Sequence, residues 1–219
     1  MMKKILLLVC TLNAIITDWC IAQDIKTVKQ ALDAVSYIEP PYMNTKVTNY
    51  SYLGEFPINT VIPDKLYEDL QCTQYIHAGR SEDLYPSLYL KMKVPATHYI
   101  LGAVTFGGST DYWNDQLFLA DENGNITDVL EGAVLNYGIP IKQFRVLKNL
   151  DIIVSRLVVI DPAHLLYDDF IGKKRLIKAY RMDEIYEIQN GKFIKMKEFK
   201  RPENSYYEEQ LYKLDIWRL

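Results

Sequence analysis

From Ser87 onward, apolar and polar side chains alternate along most of the chain, and a period of two marks strands lying on a core. Residues 87–94 (SLYLKMKV) set Leu88, Leu90 and Met92 against Tyr89, Lys91 and Lys93, which predicts a half-buried strand. Residues 98–106 (HYILGAVTF) are apolar on both sides, as in a strand inside a sheet, and Gly102 predicts a bulge or a close approach there. Residues 115–121 (DQLFLAD) and 125–131 (NITDVLE) flank Glu122-Asn123-Gly124 and read as a hairpin. Pairing Leu119 with Ile126 would put Leu117, Leu119, Ile126 and Leu130 on one face.

A second hairpin joins residues 142–147 (KQFRVL) to 151–160 (DIIVSRLVVI) around Lys148-Asn149-Leu150, and its second strand is apolar enough to cross the middle of a sheet. The third, EIYEIQNGKFIKMK at 184–197, offers two registers. A two-residue Asn190-Gly191 turn sets Ile188 opposite Phe193 and Glu187 opposite Ile194. A three-residue turn, Gln189 to Gly191 with a bulge, aligns Tyr186, Ile188, Ile194 and Met196 on one face, and is the register expected.

Helical spacing shows at both ends of the chain. Val28, Ala31, Leu32 and Val35 predict a helix over Asp24–Tyr37, stopped by Pro40-Pro41. Tyr207, Leu211, Leu214 and Arg218 form a stripe that predicts a C-terminal helix docked on the sheet. Residues 40–86 carry five prolines and many tyrosines without a clean period; one short helix is expected at Asp64–Gln71 within an irregular layer. The expected fold is mainly β (α+β), an antiparallel meander sheet or partly closed barrel of about nine strands, with a helix near each end. Residues 23–86 and 87–219 are expected to form one folding unit.

The first residues change the picture of where this fold resides. Lys3 and Lys4 precede an apolar run, and Cys20-Ile21-Ala22 supplies small residues, so residues 1–22 read as a signal peptide cut between Ala22 and Gln23. The run is too short and interrupted to be a spanning helix of ~20 residues. A lipoprotein cut before Cys20 is disfavoured by the bulk of Trp19. Removing 22 residues that carry two lysines and one aspartate from 219 residues at net charge −3 leaves 197 residues at −4. That balance gives no electrostatic reason to expect nucleic acid. Cys72 is then the remaining cysteine, read as a buried inert thiol, and no intramolecular disulfide can form.

Candidate chemistry concentrates in two stretches. FGGSTDYWND at 106–115 joins two strands, whereas a phosphate cradle needs a helix N-terminus after its glycines. Tyr112 and Trp113 could stack on a sugar or peptide while Asp111, Asn114 and Asp115 bond its polar groups. Asp111 and Asp115 could instead form an acid/base pair. The plainer reading is a hairpin connection. In DPAHLLYDD at 161–169, Asp161, His164, Asp168 and Asp169 gather a possible base or ligand cluster, against the plainer reading of a solvated turn. His98, opening an apolar strand, reads as a structural strand residue. No G-x-S-x-G, S-x-x-K or H-E-x-x-H occurs, and no metal or cofactor site is expected.

The line HYILGAVTF, DQLFLADENGNITD, KQFRVLKNLDIIVSRL and RMDEIYEIQNGKFIKMKE resembles uncharacterised exported proteins of Gram-negative gut bacteria over roughly residues 87–200. The resemblance implies export and a β-rich fold, and it carries no activity. The functional expectation is an exported, non-enzymatic binding or interaction protein of the cell envelope, with a glycan, peptide or envelope protein as partner. The alternative is a glycan- or peptidoglycan-acting hydrolase that uses carboxylates.

Overall fold

Thr27 opens helix α1 (Val28–Ala34) by a reciprocal cap: its hydroxyl accepts from the Gln30 N–H, and its own N–H donates to Gln30 Oε1. The computed structural model describes residues 27–44, 87–109, 112–136, 139–160 and 176–219. Helix α1 ends three residues before the expected Tyr37, because Val35 is already extended. Its last carbonyls turn instead to Lys91, whose Nζ donates to Leu32 O at 2.6 Å and Val35 O at 3.0 Å.

After α1 come strands β1 (Tyr42–Met43), β2 (Ser87–Lys93), β3 (Ile100–Ser109), β4 (Tyr112–Ala120) and β5 (Ile126–Asn136). These are followed by β6 (Ile139–Val146), β7 (Ile152–Val159), β8 (Leu176–Gln189), β9 (Lys192–Lys200) and β10 (Asn204–Tyr207). The chain closes with helix α2 (Glu208–Lys213) and a 3-10 turn, Ile216–Arg218. All ten strands of the described residues belong to one antiparallel sheet in meander order, β2 to β8, with β9 and β10 both on the outer side of β8. The sheet does not close into a barrel. Strand β1 pairs with the end of β6 that β5 leaves free.

Three apolar clusters fill the space around this sheet. Val28, Ala31 and Leu32 of α1 cover Leu88, Val104 and Phe118. On the other side of β2–β4, Leu90, Met92, Leu101, Leu117 and Leu119 meet Phe144, Ile152 and Val154, so the sheet coils enough to bring β2 and β7 into one core. Ile139, Leu157, Ile177 and Ala179 form a third cluster under Leu211 and Ile216 of the C-terminal segment. Among the described residues no helix is long and apolar enough to cross a membrane.

Bulges and turns correct four expectations. Leu88 does not share a face with Leu90 and Met92, because the register slips between Leu88 and Leu90; Leu88 faces α1, and so does Lys91. A second slip pairs Ala120 with Ile126 but Leu119 with Asp128, so Ile126 packs toward α1 rather than with Leu117 and Leu119. The third hairpin uses the two-residue turn: Ile188 faces Phe193, and Asn190 (φ 52°) and Gly191 (φ 72°) are both left-handed, as a type I′ turn requires. Its bulge lies further along, between Ile185 and Tyr186, and Ile194 and Met196 are exposed. At the C-terminus the helix stops at Leu214, so Ile216, not Arg218, reaches the core.

Gly102 is a close approach and not a bulge. An added Cβ would lie 2.3 Å from Cζ of the Phe118 ring, while the β2–β3 register runs evenly past it. The expected signal segment, residues 45–86 with Cys72 and the helix expected at Asp64–Gln71, and Asp111 lie outside the described residues. So does the stretch with Asp161, His164, Asp168 and Asp169.

Candidate functional site

The β3–β4 ladder continues almost to its apex, and this changes the reading of FGGSTDYWND. Gly107 pairs with Trp113 and Ser109 with Tyr112, the register slipping once between Gly107 and Ser109. Residues 110 and 111 alone separate the two strands. Asn114 and Asp115 are therefore strand residues rather than loop residues, at 1% and 2% exposure. Tyr112 and Trp113 open β4 next to the apex.

Asp115 anchors a buried polar cluster drawn from four separate segments. Its Oδ2 accepts from Asn44 Nδ2 at 2.8 Å and from the Tyr89 hydroxyl at 3.0 Å. Thr105 is its direct partner across β3 and β4. The Thr105 hydroxyl lies near enough to favour the carboxylate, yet among the described residues neither Thr105 Oγ1 nor Asp115 Oδ1 completes a well-formed hydrogen bond. Burial pushes the carboxyl up to about 6 against the pull of Thr105, Tyr89 and Asn44. Aromatic rings wall the cluster: Tyr42 lies 6.4 Å from Tyr89 and stacks at 5.7 Å on Phe144. A carboxyl of this kind exchanges its proton near pH 6, two units above an ordinary aspartate. Next to it, Asn114 Nδ2 donates to Glu131 Oε2 at 3.2 Å, and Glu131 also pairs with Lys142.

Comparison with protein-family models, with curated proteins and with solved structures returned no match.

A second buried polar cluster lies beneath the C-terminal segment. Asp183 accepts from Ser155 Oγ at 2.7 Å and from Arg201 Nε at 2.9 Å, and pairs with Arg181 at 3.1 Å. Gln143 binds twice, donating to Asp215 Oδ1 at 2.9 Å and accepting from the Ile216 N–H at 2.6 Å. Arg181 donates to the Trp217 carbonyl, and Arg145 lies 5.6 Å from the centre of the Trp217 ring. These groups are engaged with one another and act as a lock on the chain end.

Among the described residues no group of three or more His, Cys, Asp or Glu is placed to hold a metal ion. His98 is not a strand residue as expected; it sits exposed just before β3 with its ring 4.2 Å from that of Tyr99. Asn44, Tyr89 and Thr105 were not singled out from the sequence. Thr105 could have been found by extending the hairpin register to residues 110–111. Asn44 and Tyr89 reach Asp115 from 71 and 26 residues away, and no local pattern signals that.

Proposed function

We propose that the protein is an exported, non-enzymatic binding or interaction protein of the bacterial cell envelope, released by cleavage between Ala22 and Gln23. Its partner is an extended segment of another envelope protein. The observation that carries this reading is β9. Among the described residues that strand pairs only with β8, and Ile194, Met196 and Phe199 are 39%, 45% and 45% exposed along it. The Phe193 N–H at its start donates to Asp128 Oδ2 at 2.8 Å, and beyond it the outer edge of β9, with its apolar side chains, is where an extended polypeptide adds. Three of its four lysines are paired with carboxylates: Lys192 with Asp128, Lys195 with Glu184 and Glu198, and Lys200 with Glu203. This neutralisation favours a peptide over an anionic polymer. The resemblance to exported β-rich proteins and the signal-like first 22 residues support the location.

The test uses the mature protein, chemically cross-linked to solubilised envelope proteins and, separately, incubated with purified peptidoglycan sacculi. An Ile194→Lys/Phe199→Lys variant with unchanged melting temperature should lose its cross-linked adducts. Adducts that persist refute the assignment to β9, and retention on sacculi that disappears in Trp113→Ala points to a glycan at the hairpin apex.

One observation favours a second reading, a glycan- or peptidoglycan-acting hydrolase: the Asp115 carboxyl, pushed up to about 6, has the proton affinity of a general acid. Release of soluble fragments from sacculi by the wild type, lost in Asp115→Asn, would establish it. The deep burial of Asp115 and its engagement with Asn44 and Tyr89 place it second.

A further inference from the structure

Among the described residues, the lock beneath the chain end contains a cation that reaches no acceptor. Arg145 projects from β6 on the face that holds Gln143, and its guanidinium lies 5.6 Å from the centre of the Trp217 ring. A guanidinium presents five N–H donors in a planar fork. None of them meets an oxygen among the described residues: Nε is buried without a partner, and the ring attracts the charge but supplies no oxygen. The carboxylates of the lock are taken. Asp183 accepts from Ser155 and Arg201 and pairs with Arg181, while Asp215 accepts from Gln143 and pairs with Arg218.

The side chains around this cation are apolar. Residues directly opposite one another on neighbouring strands share a face, so Met43 lies beside Arg145 on one side and Ile153, then Ile185, on the other. Met43 is 49% exposed, and Arg145, Ile153 and Ile185 are each partly exposed. We propose that Arg145 anchors a binding site for a carboxylate carried on an apolar body, the acid lying in the plane of the guanidinium and the body on Met43, Ile153 and the Trp217 ring. The site is separate from the outer edge of β9, with β7 and β8 between them, and it does not depend on a partner at that edge.

The donors on offer select the ligand. Two parallel N–H groups of one fork match the two oxygens of a carboxylate. A phosphate dianion calls for donors from further cations, and those of Arg181 and Arg201 are committed to Asp183 and to the Trp217 carbonyl. The apolar neighbours give nothing to the hydroxyls of a sugar acid. Electrostatics favour an anion in the same place. Burial pushes the pKa of Arg145 down, Asp183 opposes this, and Arg181 and Arg201 push it down further. A bound carboxylate relieves that repulsion and completes the fork.

The test titrates phenylacetate, its neutral counterpart phenylacetamide and inorganic phosphate into the full mature protein, following the Arg145 Nε–H and Trp217 Nε1–H resonances. Phenylacetate should shift both resonances to saturation, and the amide and phosphate should bind at least about tenfold more weakly, as the loss of a charge-assisted pair requires. Arg145→Met, at unchanged melting temperature, should weaken phenylacetate by about the same factor. Lys148→Met, which removes a charge from the exposed turn after β6, should stay within about twofold of wild type. The comparison of acid with amide uses the wild type alone, so it stands even where Arg145→Met unfolds. A dipeptide, N-acetyl-Ala-Phe with a free carboxylate, separates the sources: tighter binding than phenylacetate assigns the site to a polypeptide end, weaker binding to a free organic acid. Equal binding of acid and amide, tighter binding of phosphate, no saturable shift at Arg145 Nε–H, or an equal loss in Lys148→Met would each overturn the proposal.

Discussion

Replacing Lys91 by methionine tests whether a single cation docks helix α1. Lys91 projects from β2 with only 7% exposure, and its ammonium ends on two carbonyls at the C-terminus of α1, Val35 O and Leu32 O, the latter also accepting from the Val35 N–H at 3.3 Å. Hydrogen bonds involving a charged group contribute about 1.5–3 kcal/mol each, and the negative end of the helix dipole adds a few tenths. Opposing them is the cost of burying the ammonium, the main reason the pKa of Lys91 is lowered, partly countered by Asp33. Methionine keeps the apolar stem and much of the volume but provides no donor, so the expected net loss is about 2–3 kcal/mol. Leu32→Ala, at a residue 2% exposed in the same contact, should cost about 2–5 kcal/mol. Because either change undocks the same short helix, the double variant should lose less than the sum. Urea denaturation of the four proteins at neutral pH measures all of these terms. If Lys91→Met lies within about 0.5 kcal/mol of wild type, the carbonyls are served by water and the apolar contact alone docks α1.

Three further predictions concern the interior. Asp115→Asn should stabilise the protein at pH 7.5 by up to about 3 kcal/mol, from a shift of two pKa units, and flatten the decline in stability between pH 4 and 7 seen in equilibrium denaturation; a destabilised variant would refute it. Gly102→Ala forces a methyl to 2.3 Å from the Phe118 ring, which is packed too tightly to move away, and should cost about 1–3 kcal/mol in thermal or urea unfolding. Gln143→Leu leaves the Asp215 carboxylate and the Ile216 N–H without that partner. It should cost about 2–4 kcal/mol and shift Trp217 emission to the red as the chain end detaches; unshifted emission would mean the apolar contacts of Leu211 and Ile216 hold it alone.

Much of this fold is legible in the order of residues. Alternation from Ser87 onward identified β2, β3 and the three hairpins, and helical spacing identified α1 at Val28, Ala31 and Leu32. Local chemistry also marked the Asp121 turn, where Asp121 accepts from the Asn123 and Asn125 N–H groups; at Asn190-Gly191 the left-handed pair that these residues favour prevailed over the three-residue turn expected. What alternation could not specify was parity. A single bulge at Tyr89 sends Leu88 and Leu90 to opposite faces, and α1, packed over the face of Leu88, turns Lys91 from an apparent surface lysine into the buried cap of a helix.

The candidate site shows the same division more sharply. Asp115 stood out by its company in FGGSTDYWND, but a loop with aromatics and carboxylates describes only its composition. The sheet made the stretch a hairpin with a two-residue apex and turned Asp115 inward. Its raised proton affinity comes from burial, which outweighs the opposing pull of Thr105, Tyr89 and Asn44, brought together by strand register and by a segment 71 residues away. Local sequence determines which residues can form a strand, because the pleat acts over two residues. Which charges are buried, and against what, depends on contacts between distant segments, and those exist only once the sheet has coiled.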